Sequence, residues 1–203
     1  MTEVKAVSEM SACFDGNIYI YIIGGLDENR DELNTVYRFD TYSEHFEELA
    51  AIQLGYVSNV STFFHNGSNS IIIINDMGDA LSYDVVTQDT CSLFSFNEYI
   101  GEVNTSHISC YDGHDNIYIM ANEDGRFVKF SMILKQFTKL TGSPFEAKED
   151  IYRLIYDQSF GITLIAGKGQ NYRYSTQRND WTLLNDNDPV GLRKLLGACL
   201  IRD

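Results

Sequence analysis

Three residues in the stretch "SHISCYDGHD" are of types that bind metals: His107, Cys110 and His114. Imidazole and thiolate together suit copper or zinc, provided that the groups converge on one point. If the segment is a strand followed by a turn, His107 and Cys110 stand an odd number of residues apart and face opposite sides of the sheet. His114 lies beyond the turn signal Asp112-Gly113. The spacing predicts a polar histidine at the start of a strand, a buried cysteine and a loop histidine, with no metal.

A second candidate is "IYIYIIGG", an apolar run closed by Gly24 and Gly25. A glycine turn after a strand cradles phosphate when it opens a helix inside a βαβ unit. Here "GGLDENRDEL" leads to another strand, and no lysine or serine stands in phosphate-loop spacing. The two glycines are therefore read as structural. Paired acids could do glycoside chemistry, but "LDENRDEL" reads as a solvated acidic loop. No Ser-His-Asp order and no nucleophile elbow is present. The residues predict neither catalysis nor a cofactor.

The chain has 203 residues, enough for a sizeable core, and is 44% hydrophobic and 13% aromatic, which marks a folded chain. Thirteen Tyr and twelve Phe against two Pro favour strands, where aromatic side chains pack on a pleated surface. A formal net charge of −14 argues against nucleic acid or an anionic membrane and for a basic partner. The start "MTEVKAVSEM" has no basic and apolar leader pattern, and the longest aliphatic run, Ile71 to Ile74, is too short to span a bilayer. Cys13, Cys91, Cys110 and Cys199 show no paired spacing, so a reducing, cytoplasmic setting is expected. In that setting the glycosylation-like triplets at Asn59, Asn66 and Asn104 are coincidental.

The elements that would position these residues repeat. Four segments carry an aromatic, a bulky residue seven positions on and Leu ten positions on: Phe39, Phe46, Leu49; Tyr83, Leu93 with Thr90 in the middle place; Phe130, Phe137, Leu140; and Tyr174, Trp181, Leu184. A second landmark keeps the beat. Asp15-Gly16, Asn66-Gly67, Asp112-Gly113 and Asp157 precede the runs "IYIYIIGG", "SIIIIND", "NIYIMAN" and "ITLIAGKG", at intervals of 51, 46 and 45 residues. Asn-Gly and Asp-Gly signal tight type I′ turns. Each unit then reads as four strands, the signature of propeller blades.

The first unit, "DGNIYIYIIGGLDENRDELNTVYRFDTYSEHFEEL", resembles the kelch repeat, with its double glycine, polar linker and aromatic strand. In the others Asn75-Asp76, Ala121-Asn122 and Ala166-Gly167 replace the glycines, and Trp181 alone keeps the fourth-strand tryptophan. No Trp-Asp pair supports the WD40 rival. The expected fold is all-β, a kelch-like β-propeller region over 1–203, with repeats at about 8–53, 54–98, 99–144 and 145–190. The tail 191–203 matches the first strand of a fifth unit, and Cys199 falls where Cys13 and Cys110 stand, a slot for small buried residues. Four blades and one extra strand make an incomplete propeller. That leaves a fragment of a longer chain, which is favoured, a compact four-bladed ring, or self-association through an open edge.

Resemblance to kelch proteins implies that loops entering the first strands and loops joining second and third strands share one rim, where partners are gripped. Carried onto this chain, the entry positions are Ser8, Asn59, Thr105 and Asp150, with His107 and Arg153 slightly deeper. The second set holds Asp27, Glu28, Arg30, Asp31 and Glu32, then Asp76 and Asp79, then Glu123, Asp124 and Arg126, and finally Lys168. The implied function is a non-catalytic protein-interaction module whose rim takes a polar or basic partner segment. The alternatives are a propeller enzyme of the galactose-oxidase or specifier type, or a structural fragment of a larger kelch protein.

Overall fold

Each apolar run becomes the second strand of a four-stranded antiparallel sheet. The computed structural model describes residues 8–53, 57, 60–100, 107–121, 124–144, 153–167, 169–186 and 188. The first sheet is β1 (Ser11–Phe14), β2 (Tyr19–Ile23), β3 (Val36–Asp40) and β4 (His45–Leu49). The second is β5 (Ser61–His65), β6 (Ser70–Ile74), β7 (Asp79–Asp84) and β8 (Thr90–Ser95), followed by one helical turn, α1 (Asn97–Ile100). The third comprises β9 (His107–Tyr111), β10 (Asn116–Ala121), β11 (Phe127–Ser131) and β12 (Gln136–Leu140). The fourth comprises β13 (Arg153–Asp157), β14 (Gly161–Ile165), β15 (Tyr172–Ser175) and β16 (Asp180–Leu183). In every sheet the strands lie side by side in chain order, the arrangement of a propeller blade. The all-β expectation and the four blades are both found. The proposed fifth-unit strand, 191–203, and Cys199 lie outside the described residues.

The seven-residue spacing has a simple origin. Phe39 faces Phe46, Tyr83 faces Thr90, Phe130 faces Phe137 and Tyr174 faces Trp181 across the hairpin joining third and fourth strands. Such directly opposed pairs are the unit of sheet stabilisation. Leu49 and Leu140 close the same hairpins opposite Val36 and Phe127. Leu93 instead sits in a bulge, because Ala80 pairs with Phe94 and Leu81 with Ser92.

The chain divides into two compact units, Met1–Asn97 and Glu98–Asp203. In the first, β2 and β6 bring Tyr21, Ile23, Ile71 and Ile73 into one core with Leu81 and Tyr83. All five residues of β6 are buried, since the strand has neighbours on both edges and covered faces. Burial pushes the Tyr83 phenol up to about 12, and its hydroxyl donates to the Ala50 carbonyl at 2.8 Å. In the second unit, Tyr118, Met120, Phe127, Ile162, Leu164 and Tyr174 form the core, with Trp181 packed against it. In each unit the first strands of the two sheets are neighbours, β1 beside β5 and β9 beside β13.

The turns depart from the type I′ expectation. In the first sheet the loop from Asp15 to Ile18 is held by the Asp15 carboxylate, whose Oδ1 accepts from the N–H groups of Asn17, Ile18 and Tyr19 at 2.8 to 3.0 Å. Asp112 does the same for His114, Asp115 and Asn116, and Asp157 for Ser159 and Phe160. A side-chain acceptor thus closes a longer loop, in place of two residues forced to positive φ. Gly67 is not among the positive-φ glycines, and Asn69 takes the left-handed position at φ 48°. Cys13 and Cys110 do occupy matching slots, opposite Tyr21 and Tyr118. Cys110 is buried whereas Cys13 is half-buried, and burial still pushes the Cys13 thiol up to about 12.

The hairpins between third and fourth strands repeat one device. Asp40, Asp84, Ser131 and Ser175 accept from N–H groups of the turn. Five residues past each aromatic, Glu44, Gln88, Lys135 and Asn179 sit at φ between 54° and 62°. That conformation is costly for residues with a Cβ. Replacing Lys135 by glycine is therefore expected to raise stability by about 0.5 kcal/mol, the relief of strain less the entropy of glycine. A urea midpoint below that of the parent chain would contradict it.

Candidate functional site

The expected rim is assembled in the first unit by backbone pairing. Ser8 and Leu26 exchange hydrogen bonds at 3.0 and 2.8 Å, and Leu26 also bridges Glu32. The entry to β1 and the β2–β3 loop therefore lie together at Ser8 and Leu26. Gly24 and Gly25 allow a further strand of chain to join them. Their φ values are 63° and 102°, and a Cβ on Gly24 would overlap the carbonyl oxygen of Val57, which precedes β5. The Gly25 N–H donates to that same oxygen at 3.3 Å. The double glycine is a point of close chain passage, with no helix after it.

Within the loop the carboxylates divide into two kinds. Asp27 is half-buried, and its Oδ1 accepts from the N–H groups of Asn29 and Asp31 at 2.8 and 2.9 Å. It holds the turn in which Arg30 adopts φ 68°. Glu28, Arg30, Asp31 and Glu32 are exposed. The equivalent loop of the second sheet is held by buried Asn75, whose side-chain oxygen accepts from the Asp79 N–H at 2.9 Å. This leaves Asp76 exposed and Asp79 half-buried. Partial burial raises the Asp76 carboxyl above the usual carboxylate range, and the charge of Glu32 raises it further. The loops of the two sheets thus present one continuous negative field, with Arg30 against six carboxylates.

The second unit is different. His107 pairs with Ala121 and Arg153 with Ile165, so both stand at the entry ends of their sheets and both are half-buried. Burial lowers the Arg153 guanidinium from its ordinary value. Asp124 is joined to Arg126 by an ion pair, which neutralises this part of the expected acidic set. Asn59, Thr105, Glu123, Asp150 and Lys168 lie outside the described residues. The acidic field therefore belongs to the described loops of the first unit.

Among the described residues no three His, Cys, Asp or Glu side chains are placed to share a metal ion. His107 and Cys110 stand three residues apart in β9, opposite Ala121 and Tyr118, and His114 sits in the loop capped by Asp112. No helix among the described residues is long and apolar enough to cross a membrane.

Sequence reasoning missed a concavity at the other end of the first unit, where the β1–β2 and β3–β4 turns lie. A cleft of about 470 Å³ opens there between the first two sheets, floored by Tyr19, Tyr21 and Phe64 and edged by Asp15, Arg38 and Val86. Tyr21 and Phe64 stack with centroids 5.6 Å apart. The signal was in the sequence: Val86 breaks the polar habit of turn tips. Its pairing with a cleft needed the fold.

The kelch motif model matches residues 8–51. That span coincides with the first sheet and contains the Gly24-Gly25 passage and the whole acidic loop. The chain thus carries a kelch repeat as its first blade, and the other three sheets repeat its strand order. No curated protein sequence matches the chain.

Proposed function

We propose that the protein is a non-catalytic interaction module that captures a basic or polar segment of a protein partner on the acidic loops of its first unit. The observation that supports this reading is the loop set inside and beside the kelch motif. Glu28, Asp31, Glu32 and Asp76 are exposed on two loops whose backbones are fixed by Asp27 and Asn75. Rigid loops bind at a smaller cost in ordering than mobile ones, and a dense negative field steers cationic partners. The reading takes the protein to be cytoplasmic, where Cys13, Cys91 and Cys110 remain thiols, as they are in the structure.

The test is capture of lysine- and arginine-rich peptides from an array by the immobilised full chain. The triple change Glu28→Gln, Asp31→Gln, Glu32→Gln removes charge without touching Asp27. It is expected to weaken capture by about tenfold, from three exposed pairs of about 0.5 kcal/mol each. Unchanged circular dichroism would show that the fold survives. Capture within about twofold of the parent chain would refute the reading, because exposed charge pairs would then contribute nothing.

A further inference from the structure

The cleft at the opposite end of the first unit has properties that packing alone does not require. Turn tips with no tertiary partner are ordinarily polar, yet Tyr42 and Val86 stand at the β3–β4 and β7–β8 tips with 81% and 73% of their surface exposed. Phe14, at the end of β1, is 52% exposed at the same end of the sheet. Exposed apolar side chains gathered at one end of a unit mark an interaction surface. The same end of the second unit's sheets shows the habit independently, with Ile133, Leu134 and Phe160 exposed.

The charge of the cleft decides its occupant. Arg38 is its cation, and the first sheet satisfies it from within. It donates to Glu47, its cross-strand neighbour, and its guanidinium lies over the Tyr19 ring, 4.5 Å from the centroid. An anionic ligand would have to displace Glu47 against a chain of net charge −14. The acid of the cleft is Asp15, which uses one oxygen, Oδ1, to accept all three loop N–H groups. Asp40 and Asp84 cap the two flanking hairpins through one oxygen each and add negative charge beside the cleft without lining it.

We infer that this cleft is a second docking site, for a peptide segment that inserts an apolar side chain against Tyr21, Phe64 and Val86 and sets an adjacent lysine or arginine near Asp15. The aromatic floor supplies apolar contact area, and the Asp15 carboxylate supplies counter-charge for the cation. This site is separate from the acidic loops of the kelch motif, which lie at the other end of the same sheets.

The experiment is titration of the isotope-labelled full chain with N-acetyl-Phe-Lys-amide, followed through backbone amide shifts. Saturable shifts at Tyr19, Asn69, Val86 and Gln88 are expected, with N-acetyl-Phe-Glu-amide binding about fivefold more weakly. Asp15→Asn keeps the oxygen that accepts the three loop N–H groups and removes the charge, and Val86→Ser removes the exposed apolar edge. Each is expected to weaken the Phe-Lys probe by about threefold. The Glu28, Asp31, Glu32 triple variant should leave these shifts unchanged, which separates this site from the acidic loops. Shifts confined to residues 25–33, no saturable shift at the cleft, or equal binding of both probes would overturn the inference.

Discussion

Gly24→Ala is expected to cost the first unit about 3 kcal/mol, summing a left-handed backbone cost of about 1 kcal/mol and a steric overlap of about 2 kcal/mol. The strain arises because Gly24 sits at φ 63°. The overlap arises because its Cβ would fall on the Val57 carbonyl oxygen, a backbone atom that cannot turn aside. Moving Val57 would disturb a residue that is 1% exposed in the core of the unit and would break the bond from the Gly25 N–H. Gly16→Ala supplies the control. Gly16 has a similar φ of 81°, but a Cβ there meets nothing within 4 Å, so only the backbone cost of about 1 kcal/mol applies. Urea unfolding of both variants checks the contrast. Equal losses would show that the double glycine serves backbone conformation alone, and that close chain passage is not its role.

The second large effect is Ile73→Ala. Ile73 is fully buried in β6, packed in one core with Tyr21, Ile23, Leu81 and Tyr83. Truncation removes its transfer free energy and leaves a cavity between two sheets whose backbones are tied by ladders, for a loss of about 3 to 4 kcal/mol. Ile133→Ala removes the same atoms from a residue 77% exposed and should change stability by less than about 0.5 kcal/mol. Against a total of about 5 to 15 kcal/mol for a domain, the first change is severe and the second invisible. Comparable midpoints for the two variants would contradict the core assignment.

Much of the fold was legible because the repeat is written in residues that face each other. Phe39 and Phe46, or Phe130 and Phe137, are seven apart since a four-residue turn separates two paired strands. Thr90 looked like a defect in that pattern, yet it occupies the same slot opposite Tyr83. Leu93 obeyed the sequence pattern while the bulge beside it changed its partner. The turn chemistry was misread for a physical reason: an Asp followed by Gly suggests a two-residue turn, but the Asp15 and Asp112 carboxylates accept several N–H groups and stabilise longer loops.

The rim residues were legible as positions and less so as charges. The kelch resemblance, not the local sequence, implied that Ser8 lies near the β2–β3 loop, and in the structure Ser8 bridges Leu26. The local sequence could not separate Asp27, which holds its turn, from Glu28 and Asp31, which face solvent. Neither could it show that Asp124 is matched by Arg126. The cleft was hidden because Tyr19, Phe64 and Val86 are far apart in the chain and come from two sheets.

The most direct test of the proposed function is to map a captured basic peptide by amide shifts on the isotope-labelled chain. The account predicts perturbation concentrated in residues 25–33 and 75–79, the loops that carry Glu28, Asp31, Glu32 and Asp76, with loss of these shifts in the triple charge variant. Binding that persists in that variant, with shifts elsewhere in the chain, would contradict it.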